Sequence, residues 1–267
     1  MNKKIHAVKA IFFDIDGTLL SFKTHRVPES ARKALEQLKE KGIKLFIATG
    51  RPPTHLEHLK EKLNFPFDGY VSMNGQYCFN DEQVIYEQHI PGRDMEQALK
   101  YMEEQKIACE FIELDYIYLN RISKEVLKLR KLMGDTAGSE PVDDINRVFS
   151  YKTYQICPFI KEDEEEYFFE YLPGYRGVRW HPLFVDIIPE DGGKAFGIQR
   201  MLDHYGIALE ESMAFGDGGN DIEMLEYVPV GVAMGNADGR VKESADYVTK
   251  DVDEDGIAFA LENFGIL

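Results

Sequence analysis

Residues 12–20, Phe-Phe-Asp-Ile-Asp-Gly-Thr-Leu-Leu, constrain the fold more than any other stretch. Ala10–Phe13 is a continuous apolar run, the pattern of a strand covered on both faces, as in a parallel sheet. Two carboxylates, Asp14 and Asp16, follow at once. A buried charge is costly unless it is paired or bound to a metal. The chain must therefore bring compensating groups to the end of this strand from elsewhere.

The surrounding pattern supports such a sheet. Glu29–Lys41 carries Ala31, Ala34, Leu35 and Leu38 at helical spacing, with Gly42 as a C-terminal cap. Lys44–Ala48 reads as a second strand, and a helix bearing Leu56, Leu59 and Leu63 follows Pro52-Pro53. Strand, helix, strand, helix is the order of parallel βα units. The same order returns late: a helix over Lys194–Tyr205, a strand at Met213–Phe215, a helix through Ile222–Leu225, and short strands at Gly231–Met234 and Tyr247–Thr249.

The middle differs. Tyr70–Met73 and Gln83–Tyr86 flank a polar turn and suggest a hairpin. Beyond them, helices are expected near Met95–Glu104, Lys124–Met133 and Glu164–Leu172, and strands at Glu110–Ile112, Tyr116–Leu119, Tyr151–Ile156 and Phe184–Ile188. The expected fold is α/β: a Rossmann-like parallel-sheet core over 1–84 and 188–267, with an α+β domain inserted over 85–187.

Composition narrows the partners. The chain has 267 residues, 44% of them hydrophobic, enough for a proper core. Its formal net charge of −16 disfavours nucleic acid and anionic membrane. The acidic run Glu162–Glu166 reads as a solvated helix start. Cys78, Cys109 and Cys157 are widely spaced, without a CxxC pair, and are expected to be buried thiols in a reducing compartment. The basic N-terminus leads into an apolar stretch broken by Asp14, so no signal peptide is expected. No run approaches the length of a membrane span. A cytoplasmic location follows as the expectation.

Four polar clusters follow strands or open helices: Asp14-x-Asp16-Gly17-Thr18, Thr49-Gly50-Arg51, Lys194, and Gly216-Asp217-Gly218-Gly219-Asn220-Asp221. Singly each has an ordinary explanation as turn, loop punctuation or surface charge. In an open parallel sheet, however, ligands bind beyond the carboxyl ends of the strands. Neighbouring strands would bring all four clusters to one crevice. Several carboxylates suit a hard cation such as Mg²⁺, while a lysine and a threonine hydroxyl suit phosphate oxygens. Neither acidic loop is an EF-hand, because position 12 is His25 in one and Val228 in the other.

The motifs DIDGT, ATGR, GGK and GDGGND resemble those of the haloacid dehalogenase superfamily of phosphohydrolases, over nearly the whole chain. VSMNGQY, VGVAMGNA, Lys242-x-x-Ala245-Asp246 and Glu254-Asp255-Gly256 resemble its Cof-type sugar-phosphatase branch, with a large type IIB cap between the second and third motifs. Gln76 and Ala195 depart from the branch, where Ala and Gly are commoner, and neither change removes a reactive group. The resemblance implies Asp14 as nucleophile and Asp16 as general acid and base. It assigns Thr49, with neighbouring backbone N–H groups, and Lys194 to the phosphoryl group. It implies a metal set of Asp14, Asp16 (through its carbonyl), Asp217 and Asp221, the last also able to act on Lys194. Gly50, Arg51, Asn74 and Asn220 join Thr49 and Lys194 as substrate-binding candidates. Arg51 has an equal alternative as partner of an acidic residue, and Asn74 as an Asn-Gly turn. The inserted domain would act as a lid. Within it, Trp180 and His181 allow two readings, a wall for the substrate or, the ordinary one, Trp180 in the core of the insert and His181 at the surface.

The implied function is Mg²⁺-dependent hydrolysis of a small phosphorylated metabolite through an aspartyl-phosphate. The expected assembly is a monomer or weak homodimer. A phosphomutase shares the nucleophile but returns the phosphoryl group to a sugar. A receiver-like signalling domain is shorter and lacks an acid at the position of Asp16. A silent binding protein is disfavoured because no reactive group is missing.

Overall fold

The computed structural model describes residues 7–133 and 140–267; the first six residues of the basic N-terminal stretch lie outside them. The chain divides into two compact units, one formed by the chain up to Glu87 with Gly192–Leu267, the other by Gln88–Asp191. The first unit opens with β1 (Ala10–Phe13), α1 (Glu29–Glu40), β2 (Lys44–Ala48), α2 (Pro53–Leu63), β3 (Gly69–Ser72), β4 (Tyr77–Phe79) and β5 (Val84–Glu87). The second unit holds α3 (Gly92–Gln105), β6 (Cys109–Ile112), β7 (Ile117–Leu119), α4 (Lys124–Met133), β8 (Gln155–Pro158), α5 (Glu165–Phe169), β9 (Tyr175–His181) and β10 (Phe184–Pro189). The first unit resumes with α6 (Lys194–Tyr205), β11 (Ser212–Gly216), α7 (Ile222–Tyr227), β12 (Val230–Ala233), α8 (Gly239–Ser244), β13 (Tyr247–Val248) and α9 (Gly256–Asn263).

The first unit is built on an eight-stranded sheet in the order β13-β12-β11-β1-β2-β3-β4-β5. Its strands run parallel from β13 to β3 and antiparallel from β3 to β5. The apolar run of β1 is buried on both faces because its side chains alternate between two cores. Ile11 and Phe13 join the layer of α1, α2 and α9, and Ala10 and Phe12 the layer of α6, α7 and α8. β1 lies between β11 and β2, where the chain leaves to one side early and returns on the other late. That reversal opens a crevice at the carboxyl ends of the strands.

The second unit has a five-stranded sheet in the order β7-β6-β8-β10-β9. Phe111, Ile156, Val185 and Ile187 pack on its covered face with Met95, Leu99 and Met102 of α3 and Phe168 of α5. The alternate residues Glu110, Cys157 and Asp186 share the other face, since Glu110 pairs with Cys157, and Ile156 with Ile187.

Several local expectations shift. The expected joins after 84 and 187 fall instead after Glu87 and Asp191, because β5 continues its pairing with β4 to Glu87 and β10 its pairing with β9 to Pro189. The hairpin forms between β4 and β5, with β3 alongside β4. The strand expected at 151–156 occupies β8, and the helix expected at 164–172 is a short 3₁₀ turn followed by α5. β9 was not foreseen. Trp180 lies on that edge strand and is 43% exposed, not in the core of the insert. The three cysteines are free and buried. Among the described residues, no helix is long and apolar enough to cross a membrane.

Candidate active site

The site grows from the end of β1. The Asp14 N–H donates to the Phe215 carbonyl (3.0 Å), carrying the pairing with β11 one residue further and fixing where the carboxylate starts. The chain then turns, with the Leu20 N–H donating to the Ile15 carbonyl (2.7 Å) and the Gly17 N–H to the Leu20 carbonyl (2.8 Å). Gly17 has φ +89°, and a Cβ there would lie 2.2 Å from Asp217 Oδ2. Only glycine lets the backbone approach that carboxylate so closely.

Lys194 stands at the start of α6, 1% exposed, and reaches into the crevice. Its Nζ donates to Asp14 Oδ1 (2.7 Å) and to Asp221 Oδ1 (2.6 Å). Asp221 Oδ2 accepts the N–H groups of Asp217 (2.9 Å) and Gly218 (2.8 Å). Asp221 therefore braces both the lysine and the loop that carries Asp217. Asp217 accepts from Thr18 Oγ1 (2.7 Å) on one oxygen and from Asn236 Nδ2 (3.2 Å) on the other.

Oxygens of Asp14, Asp217 and Asp221 lie within 4.8 Å of one another. Three carboxylates and one ammonium leave two negative charges, the complement of a hard dication. Burial, aided by Asp221, pushes the Asp14 carboxyl up to about 7 against the pull of Lys194. Burial, aided by Asp14 and Asp221, pushes Asp217 up to about 8. Burial alone would lower Lys194, but Asp14 and Asp221 outweigh it and hold its pKa above the ordinary range. The residues fit a magnesium ion in donor type and in charge.

Asp16 lies apart from that cluster. Both its oxygens accept from Arg51, Nε at 2.6 Å and Nη2 at 2.9 Å, in a bidentate pair that is only partly exposed. Burial works against the Arg51 charge, and the Asp16 contact more than restores it. The Thr49–Arg51 loop after β2 is tied to the end of β3: Ser72 Oγ donates to the Arg51 carbonyl (2.7 Å) and the Asn74 N–H to the Thr49 carbonyl (3.0 Å). Met73 and Asn74 both have positive φ, +49° and +50°, a conformation that non-glycine residues hold at a cost and that clusters at functional sites. Asn220 Nδ2 donates to Asn74 Oδ1 (3.1 Å), joining the loop after β11 to the loop after β3.

The structure thus brings Asp14, Lys194, Asp217 and Asp221 into one cluster, pairs Asp16 with Arg51, and links Asn74 with Asn220. Thr49 and Gly50 sit at the carboxyl end of the adjacent strand β2. Sequence reading passed over Thr18, Ser72 and Asn236 as individual site residues. Asn236 had two available signals, its place in the VGVAMGNA segment and its position as a polar residue soon after the apolar strand β12.

Residues 11–261 match the family of haloacid dehalogenase-like hydrolases. The protein YkrA of Bacillus subtilis (strain 168) is 37% identical over 97% of this chain and 98% of its own. A solved structure described as the subclass IIB sugar phosphatase BT4131 is 42% identical, with TM-score 0.88, over 97% of this chain and all of that one. BT1666 from Bacteroides thetaiotaomicron, described among the phosphatases of this superfamily, is 36% identical with TM-score 0.91, over all of this chain and 98% of that one. The chain belongs to the haloacid dehalogenase superfamily and is a phosphatase of that family, a hydrolase of phosphate esters.

Proposed function

We propose that the protein is a magnesium-dependent phosphatase of small phosphorylated metabolites, sugar phosphates or close relatives, acting through an aspartyl-phosphate on Asp14. The observation that carries this reading is the buried Lys194 ammonium between Asp14 and Asp221, with Asp217 beside them. The likeness to a sugar phosphatase at 42% identity supports the substrate class, and Gln88–Asp191 is read as the cap domain that selects among substrates.

Asp14 and Asp217 are the side chains that would hold magnesium, with Asp221 behind them and the Asp16 carbonyl completing the set by resemblance. When bound, the ion would offset charge on the phosphoryl oxygens and on the two carboxylates. Lys194 engages Asp14 Oδ1 and steadies the carboxylate while Oδ2 attacks phosphorus. The bond from phosphorus to the ester oxygen breaks as the acyl phosphate forms; Asp16, after giving up one of its Arg51 contacts and taking a proton from solvent, passes that proton to the leaving alkoxide. Water then attacks phosphorus, passing a proton to Asp16, and the bond to Asp14 breaks to release phosphate. Thr49, Gly50, Asn74 and Asn220 would line the phosphoryl and substrate pocket. Arg51 holds Asp16 in place through both carboxylate oxygens and would add positive charge on the phosphoryl side of the crevice. Accelerations of up to about 10²¹ are on record for phosphate monoesters, so no single group suffices.

The test is phosphate release from a panel of phosphorylated metabolites, with Mg²⁺ and with EDTA, for wild type and Asp14→Asn. Turnover is expected only with metal, and Asp14→Asn is expected to fold normally yet release phosphate below detection. Undiminished activity in that variant, or in EDTA, would refute the reading.

A further inference from the structure

Asn236 belongs to none of the four motifs, yet its side chain meets three separate segments. Nδ2 donates to the Gly17 carbonyl (2.8 Å) and to Asp217 Oδ2 (3.2 Å), and Oδ1 accepts the Val252 N–H (2.9 Å). These contacts fix which way the amide faces. A reversed amide would set its oxygen against two acceptors and its NH₂ against a donor.

The backbone at this turn is itself anchored. The Met234 N–H donates to the Gly216 carbonyl (2.9 Å) and the Gly235 N–H to the Lys250 carbonyl (2.9 Å). Asn236 is therefore presented from a turn tied both to the end of β11 and to the segment before Val252. On the far side of Asp217, Thr18 Oγ1 holds the other oxygen at 2.7 Å. The carboxylate is clamped by two neutral donors, one per oxygen. Neither brings a positive charge, although the group is partly buried beside Asp14 and Asp221. A clamp that orients a partly buried carboxylate without neutralising it is what a cation ligand requires, since a charged partner would compete with the ion.

We propose that Asn236 is a positioning residue for the metal: its amide sets the Asp217 carboxylate and the Gly17 turn in the relative placement that lets Asp217 and Asp14 share one divalent cation. The inference rests on the magnesium-dependent reading above. Orienting hydrogen bonds of this kind change metal affinity about 10- to 100-fold when removed.

The experiment titrates Mg²⁺ alone into the full-length protein by calorimetry, and records melting temperature in EDTA and in saturating Mg²⁺. The proteins are wild type, Asn236→Ala, Asn236→Ser and Asp217→Asn. Asn236→Ala is expected to bind Mg²⁺ about 10- to 100-fold more weakly, and the Mg²⁺ concentration for half-maximal activity should rise by the same factor. The melting temperature in EDTA should fall modestly, from the lost contacts to Gly17 and Val252, and the stabilisation that saturating Mg²⁺ adds to wild type should be reduced on top of that. Asn236→Ser, too short to span both Gly17 and Asp217, carries the test if the alanine variant folds poorly, and should show the same loss. Mg²⁺ affinity equal to wild type in a folded Asn236 variant overturns this inference alone. Wild type that binds no Mg²⁺, and is matched by Asp217→Asn, overturns the magnesium reading and this inference with it.

Discussion

Each unit of the molecule buries acidic side chains, and the two solve the problem differently. In the first unit, Asp14 and Asp221 flank Lys194, and Asp221 also takes two backbone N–H groups. In the second, Glu110, Cys157 and Asp186 form a row on one sheet face. Asp186 accepts there from Cys157 Sγ (3.2 Å) and from Trp180 Nε1 (3.2 Å), both neutral donors. The first cluster contains its own cation and still carries excess negative charge, so its acids stay poised for more positive charge. The row has none within it; Glu110 feels the charge of Arg130, which only weakly offsets burial. Burial, with Glu140 and Asp186, pushes Glu110 up to about 8, so it holds a proton at neutral pH. Lys194 takes up part of the charge of the first cluster and leaves the raised carboxyls of Asp14 and Asp217 for a dication to ionise, whereas the row has no cation of its own and Glu110 escapes the cost of burial by holding a proton.

The sharpest way to break this contrast is to make the first cluster resemble the row. Lys194→Met leaves Asp14 and Asp221 buried without their cation. Breaking a buried pair from one side costs ~3–5 kcal/mol, and losing a group that stabilises a phosphoryl transition state costs about 10³-fold in rate. The variant should lose about 10³-fold in kcat/KM and melt well below wild type in EDTA. The deficit should widen as pH rises, because the stranded carboxyls then bind protons more tightly folded than unfolded. Phosphate release and calorimetric melts at pH 6 and pH 8 check both parts.

A smaller change tests the pair at the rim of the cluster. Arg51 engages both oxygens of Asp16, and charge-assisted hydrogen bonds of this type are worth ~1.5–3 kcal/mol. Arg51→Leu should lower kcat/KM about 10- to 100-fold. If Arg51 acts through Asp16, hydrolysis of the phosphoenzyme should slow most. Acid-quenched samples would then contain more phosphorylated protein than wild type. A rise in KM alone, with no accumulation, would assign Arg51 to phosphate binding instead.

The contrast between the units also explains what could be read from sequence. β1 was legible because a strand buried on both faces must be apolar throughout, and Ile11, Phe12 and Phe13 are. Asp14, Lys194 and Asp217 were legible because charged groups placed at strand ends and a helix start have few structural uses in combination. Asn236 was not, because Gly and Asn after a strand also read as ordinary turn residues, and its partners are distant in sequence. β9 was missed because an edge strand buries little: Arg176, Arg179 and Trp180 interrupt any alternation, and only Val178 of the strand is buried. Trp180 was misplaced for the same reason. Residue type argued for a core, but the edge position leaves its ring exposed and its N–H turned to Asp186. The row Glu110–Cys157–Asp186 was illegible because it is created by register between three strands, not by any local pattern.

The row itself offers the mildest test. Glu110 is half-buried, with a folded pKa of about 8 against an ordinary value of 4.5. A raised carboxyl pKa means that the folded state keeps a proton the unfolded state has released. Stability is then intact at low pH and falls as pH rises from the ordinary range towards 8. Glu110→Gln fixes the neutral form and removes that slope. The variant should match wild type near pH 4 and exceed it at pH 8 by ~1–2 kcal/mol, with partial exposure of the side chain limiting the effect. Urea melts of the two proteins across this range give the measurement. Parallel pH profiles would mean that Glu110 ionises in place, so that Arg130 serves the row as Lys194 serves the first cluster, and the distinction between the two units would collapse.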